Sequence, residues 1–170
     1  MLGLHRGSVR LTPHTELWHQ LFAEEEAKLR DAIGAYTLSI EHIGSTAVCG
    51  LSAKPIIDIS VAVRQIADAE SCVIPLEKIG YEYRGEQGIP GRHFFGKCEP
   101  RTHHLHLVEA GSDLWKNHLL FRDHLRQNPN VAAEYEKLKR RLAQEYKENR
   151  EAYTEGKAAF IESVLKAARM

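Results

Sequence analysis

Cysteine is scarce in this 170-residue chain, and the three present (Cys49, Cys72 and Cys98) are an odd number with no CxxC pair. That is no basis for a disulfide framework, and a reduced, cytoplasmic setting is the natural expectation. Long apolar runs are missing too. None approaches the ~20 residues a membrane-spanning helix needs, so no membrane association is expected. The opening MLGLHRGSVRLTPH lacks the apolar centre of a secretory signal. Charge of neither sign predominates, with Lys+Arg and Asp+Glu at 23 each. Bulk binding to nucleic acid, which net positive charge would drive, is therefore not expected, although a local basic pocket is compatible with the balance. Internal repeats and low-complexity segments are absent. At 43% hydrophobic residues, the composition is that of an ordinary globular domain.

What is present centres on residues 40–63, IEHIGSTAVCGLSAKPIIDISVAV. A strand runs into Gly44-Ser45-Thr46, and a second begins after Lys54-Pro55. Alternation on the second strand places Ile57, Ile59, Val61 and Val63 on one apolar face. Ile56, Asp58, Ser60 and Ala62 form the other. A carboxylate in so apolar a strand is costly unless paired, so that face reads as a polar site.

Around this centre the order is helix, strands with one intervening helix, then helices, an α+β arrangement. Ser8 to Leu11 is either a short edge strand or an extended lead-in. The first helix starts near Thr15 and carries Trp18, Leu21, Phe22, Leu29 and Ile33, with Glu24, Glu25 and Glu26 placed mainly on its solvated side. Gly34 closes it. Strands are expected at 38–43, 56–63, 81–84, 92–97 and 103–108. A helix is expected at 65–79, ended or kinked by Pro75. Ser112 caps the first of three C-terminal helices. The second carries Tyr135, Leu138 and Leu142, and the third runs through Tyr153, Phe160 and Val164. Residues 1–170 are read as one domain, an α/β core at 1–111 with a helical extension at 112–170 packed on it.

The chemistry is concentrated in a few residues. Glycine lets a backbone approach a ligand closely, so Gly44, Ser45 and Thr46 at a strand end are candidates to hold a phosphate. A tight turn with a capping serine is the plainer alternative. Asp58, on the adjacent strand, is the candidate catalytic carboxylate and cation ligand. Lys54 and Arg92 are the candidate phosphate-binding cations. Lys97 and Arg101 read better as solvated charges. His104 and His106, two apart on one strand face, are candidate metal ligands with Asp58, or else histidines satisfied by phosphate or backbone. His42 is a weaker candidate for the same pocket, and His103 should face the other way. His5, His14, His19, His118 and His124 read as surface or helix residues, and Cys49 as an incidental thiol.

The segment HIGSTAVCGLSAKPIIDISVAV resembles the GrpB-like family, whose members carry a GSTAVPGLxAKPIID signature. HLHLVEAGSDLWKNHLLFRDHLRQNP and EYEKLKRRLA resemble it too, so the likeness extends over nearly the whole chain. That family is similar to the nucleotidyltransferase superfamily, and to the domain appended to some dephospho-CoA kinases. The resemblance implies a mixed sheet of nucleotidyltransferase type flanked by helices, and a nucleotide-phosphate loop at Gly44-Ser45-Thr46. It does not name a substrate. The leading expectation, from the loop and Asp58 together, is a nucleotidyltransferase-like protein that binds a nucleotide or phosphorylated small molecule with a divalent cation (Mg²⁺ or Mn²⁺, with Zn²⁺ as an alternative), and in an active version transfers a nucleotidyl group to a small acceptor. Two departures weigh against full two-metal transfer. Ser60 stands where a second acid is usual, and the strand expected to bring a third acid reads His103-His104-Leu105-His106-Leu107. A binding module without catalysis, or a His/Asp metal-dependent hydrolase, are the alternatives. The oligomeric state is not legible.

Overall fold

Alternation on one seven-residue strand sets the architecture. The computed structural model describes residues 2–170. Strand β2 (Ile57–Val63) lies between β1 (Thr37–Ile43) and β5 (His103–Glu109). With β3 (Tyr81–Tyr83) and β4 (His93–Lys97) they form a five-stranded sheet of order β1-β2-β5-β4-β3. The β2–β5 pair is parallel, and the other three pairs are antiparallel. A mixed sheet of this kind needs a crossover between β2 and β5. Helix α2 (Ala69–Lys78) and the β3–β4 hairpin supply it.

One face of the sheet is the main core. Ile57, Ile59, Val61, Val63, Phe95, Leu105 and Leu107 are wholly enclosed beneath α1 (Leu17–Ile33) and α2. Each such side chain contributes roughly 1.5–3 kcal/mol by leaving water. Trp18, Leu29 and Ile33 bring the α1 stripe onto this face, as its periodicity predicts.

Glu25 departs from expectation. It is 2% exposed rather than solvated, because seven residues after Trp18 and four before Leu29 is the buried stripe of α1. There it accepts from Lys97 Nζ at 2.7 Å and from the Tyr81 hydroxyl at 2.8 Å. Lys97 is therefore an internal ion-pair partner under the core face, neither a pocket residue nor a solvated charge.

The opposite face is covered by α3 (Asp113–Gln127), α4 (Pro129–Glu145), α5 (Arg150–Gly156) and α6 (Ala158–Ala168). Helix α3 touches β1, β2 and β5 and packs against α4 and α6. Ser112 caps α3 by accepting from Trp115 N–H. The expected third C-terminal helix is two. The chain breaks at Gly156-Lys157, where a β-carbon on Gly156 would lie 2.6 Å from Leu142 Cδ2. Pro75 sits inside α2, which continues to Lys78, so it does not end the helix. Among the described residues the lead-in makes two isolated bridges, Leu4 to Arg101 and Thr12 to Ala53, and no regular strand.

Candidate functional site

The register of β2 and β5 assembles the polar centre. Asp58 pairs with His104 and Ser60 with His106, so two parallel neighbours present all four side chains on the face beneath α3. Across the antiparallel pair with β4, Phe94 stands opposite His106 and Gly96 opposite His104. Asp58 Oδ1 lies 3.4 Å from His104 Nδ1 and 3.5 Å from His106 Nε2. Burial opposes ionisation of Asp58, yet the two imidazoles outweigh it and hold the carboxyl well below the usual carboxylate range. Burial in turn pushes His104 below the ordinary histidine value, against the pull of Asp58. Asp58 and His104 thus read as a carboxylate beside a neutral imidazole.

Beside them the chain leaves β1 through Gly44, whose φ of +73° and ψ of −173° suit glycine. Space requires it as well, since a β-carbon there would lie 2.9 Å from Asp58 Oδ2. A single turn follows, closed by Ala47 N–H to Gly44 O and Val48 N–H to Ser45 O, which leaves the Ser45 and Thr46 N–H groups out of the turn's bonding. The loop is anchored from above. Arg126 donates to Ala47 O at 2.7 and 3.0 Å, and Glu136 accepts from Ser52 N–H at 3.0 Å.

These elements enclose a cavity of about 390 Å³ whose lining includes Gly44, Ser45, Thr46, Lys54, Asp58, Arg92, His104 and His106. The helical third adds residues the sequence reading did not place there, among them His118, Lys139, Arg150 and Lys157. The lining thus holds five Lys or Arg side chains and one carboxylate. Burial depresses the lysines, helped by neighbouring cations at Lys54 and Lys139, which fall to about 7, and acting alone against Asp58 at Lys157, which falls to about 8. Lys54 and Lys157 both approach the Tyr153 ring, at 5.3 and 4.6 Å from its centroid. Lys139, only 1% exposed, donates to Ser52 O and sits over Tyr135. Arg92 spends part of its fork on its own loop, donating to Glu86 O at 3.0 Å, while Nη1 lies 3.4 Å from His106 Nδ1. Phe121, Ile161 and Leu165 make the opposite wall apolar.

Three expectations need correction. His42 does not belong to this cavity. It points to the α1 face, stacks on Phe22 with centroids 4.8 Å apart, and has Nε2 2.8 Å from the Thr46 hydroxyl. His118 is not a surface residue, because its Nδ1 lies 3.1 Å from Ser60 Oγ in the cavity wall and burial lowers it to about 3. Arg101 is buried rather than solvated, with Gly96 leaving room for its guanidinium. It lines a second groove with Arg6 and Arg84, and that groove shares Arg92, His104 and Arg150 with the main cavity. His103 faces away, 3.9 Å from Glu25, as alternation predicts.

The donor set does not match a pair of Mg²⁺ ions. Ser60 is enclosed and paired to His118, and Glu41, the acid opposite it on β1, is held by Arg122 at 2.7 Å. One carboxylate by itself does not supply the anionic oxygen ligands that two hard cations need. Nor do the Asp58, His104 and His106 donor atoms gather within 4.8 Å of one another. Among the described residues that condition is met by a different group, His14, Glu16, His19 and Cys49.

The family profile described as "GrpB protein" matches residues 8–167. The chain is 40% identical over 171 residues to the glutamate-rich protein GrpB of Alkalihalophilus pseudofirmus, covering 97% of this chain and 98% of that one. The crystal structure of the conserved protein GrpB from Enterococcus faecalis superposes with a TM-score of 0.87 at 39% identity, covering 94% of this chain and 96% of that one. A more distant likeness, 26% over 189 residues, is to a dephospho-CoA kinase of Mycolicibacterium paratuberculosis, covering 96% of this chain but 46% of that enzyme. No helix among the described residues is long and apolar enough to cross a membrane.

Proposed function

The chain belongs to the GrpB family, and from that premise we propose that its cavity binds a phosphorylated small molecule of the nucleoside phosphate class. One observation carries the reading: five Lys or Arg side chains and a single carboxylate line the same cavity. Lysines held at about 7 to 8 are short of anions. A phosphate dianion would return them toward their ordinary value and gain charge-assisted hydrogen bonds. Lys54, Arg92, Arg150 and Lys157 hold the phosphate groups in this reading, with the Gly44-Ser45-Thr46 turn beside them. The apolar wall of Phe121, Ile161 and Leu165 receives the organic part. The adjoining groove with Arg6, Arg84 and Arg101 gives a polyphosphate tail somewhere to run. Asp58 positions His104 and His106 rather than bridging metal ions, which favours binding over two-metal nucleotidyl transfer.

A second reading, a single cation on Asp58, His104 and His106, is favoured by both imidazoles lying within 3.5 Å of Asp58 Oδ1. Calorimetric titration with AMP, ADP, ATP and inorganic phosphate, with and without Mg²⁺ or Mn²⁺, separates the two. The cationic cavity predicts saturable binding without metal, unchanged or tighter in Asp58→Asn because the lone acid repels phosphate. Binding that needs the metal and disappears in Asp58→Asn supports the second reading. Absence of binding under both conditions removes both.

A further inference from the structure

The start of α1 and the loop after the glycine turn bring together four side chains that the anion cavity does not use. His14 and Glu16 lie in the lead-in, His19 in the first turn of α1, and Cys49 on the loop. One ligand atom from each lies within 4.8 Å of the other three. Two of the six separations are close contacts: His14 Nε2 to Glu16 Oε1 at 3.2 Å, and His19 Nε2 to Cys49 Sγ at 3.7 Å. A tetrahedral ion with bonds of about 2.0 Å to nitrogen or oxygen and about 2.3 Å to sulfur sets its ligand atoms roughly 3.3–3.6 Å apart. Those two contacts are close to the spacing an ion would impose, and the other four separations lie within 4.8 Å.

The donors are as telling as the spacing. Two imidazoles, one thiol and one carboxylate are ligands of Zn²⁺ and its relatives, whereas Mg²⁺ and Ca²⁺ take oxygen sets. Entry is open, since Cys49 is exposed and the Glu16 side chain is 80% exposed. The residues come from two segments 30 positions apart (His19 to Cys49), so an ion would fasten the loop that follows the Gly44–Ala47 turn to the start of α1. We propose that His14, Glu16, His19 and Cys49 form a zinc-class metal site, separate from the anion cavity and independent of the function assigned to it.

Cobalt is the probe, because a thiolate ligand gives Co²⁺ a charge-transfer absorption that nitrogen and oxygen ligands do not. Reduced full-length protein is titrated with Co²⁺, followed by Zn²⁺ displacement. The expected result is one equivalent bound, a thiolate-to-cobalt band, displacement by Zn²⁺, and a raised melting temperature on loading. Cys49→Ser should abolish the band. His19→Ala should weaken Zn²⁺ by more than about 100-fold, beyond the 10–100-fold typical of losing a supporting partner. Asp58→Asn should leave both intact. Absence of the band in folded wild-type protein, or a band and affinity unchanged in Cys49→Ser, overturns the proposal. Metal binding lost in Asp58→Asn but kept in Cys49→Ser overturns it as well, by placing the ion in the cavity.

Discussion

Replacing Lys54 by methionine should make the ligand-free protein more stable and its cavity a poorer host for phosphate. Lys54 has no hydrogen-bond or ion-pair partner among the described residues, and burial among cations lowers it from 10.5 to about 7. At about 1.4 kcal/mol per pKa unit, such a shift sets an upper bound of about 4 kcal/mol on the cost of keeping that ammonium at pH 7. Water in the open cavity screens part of it, so a gain of about 2 kcal/mol is expected from an apolar side chain of similar length. The sign in pH follows from proton counting. Between about 7 and 10.5 the unfolded lysine holds more protons than the folded one, so stability rises with pH across that window. The advantage of Lys54→Met is therefore greatest at and below pH 7 and vanishes near pH 10.5. Urea denaturation of both proteins at pH 7 and pH 9.5 measures it. In the same variant, loss of one charged hydrogen bond to phosphate, roughly 1.5–3 kcal/mol, should weaken nucleotide binding about 10- to 100-fold. A variant less stable than the parent at pH 7, or equally stable at both pH values with unchanged binding, would refute the claim that Lys54 is held strained for an anion.

Gly44→Ala should lose about 1–3 kcal/mol of stability from the left-handed φ alone, and more from contact with Asp58, read as a lowered melting temperature together with lost nucleotide binding. Glu25→Ala strands Lys97 in the core and should cost about 3 kcal/mol in urea denaturation while leaving nucleotide affinity unchanged in the folded fraction. Burial raises the Glu25 carboxyl but its hydrogen bonds from Lys97 and Tyr81 prevail and lower it. Its stabilising contribution is thus complete above the unfolded value near 4.5 and lost as pH falls through the lower folded value. An acid-unfolding midpoint identical in parent and Glu25→Gln would contradict this.

The β2 alternation was legible because a period of two leaves no choice of face once Ile57, Ile59, Val61 and Val63 are buried. The glycine turn was legible because Gly44 must pass Asp58 closely. That His104 and His106 would meet Asp58 was only conditional, since parallel register between β2 and β5 is set by a crossover the sequence does not measure. Arg150 and Lys157 were invisible, because their place depends on how the C-terminal helices cross the sheet. Lys139, His118 and Glu25 did carry a signal. Lys139 and Glu25 sit three or four residues from buried positions on their own helices (Tyr135 and Leu142, and Leu29), and His118 three from the half-buried Phe121. A charged or titratable residue on an apolar stripe is there for a partner, and averaging each stripe into packing concealed it. The split between α5 and α6 at Gly156 was likewise hidden, because only the proximity of Leu142 demands it.

Histidine-selective ¹⁵N NMR during a titration with a nucleoside diphosphate tests the anion cavity most directly. The prediction is a saturable shift of the imidazole signals of His104, His106 and His118, with His5 and His124 unmoved. Saturable binding that leaves those three unmoved, or no binding at millimolar ligand, would contradict it.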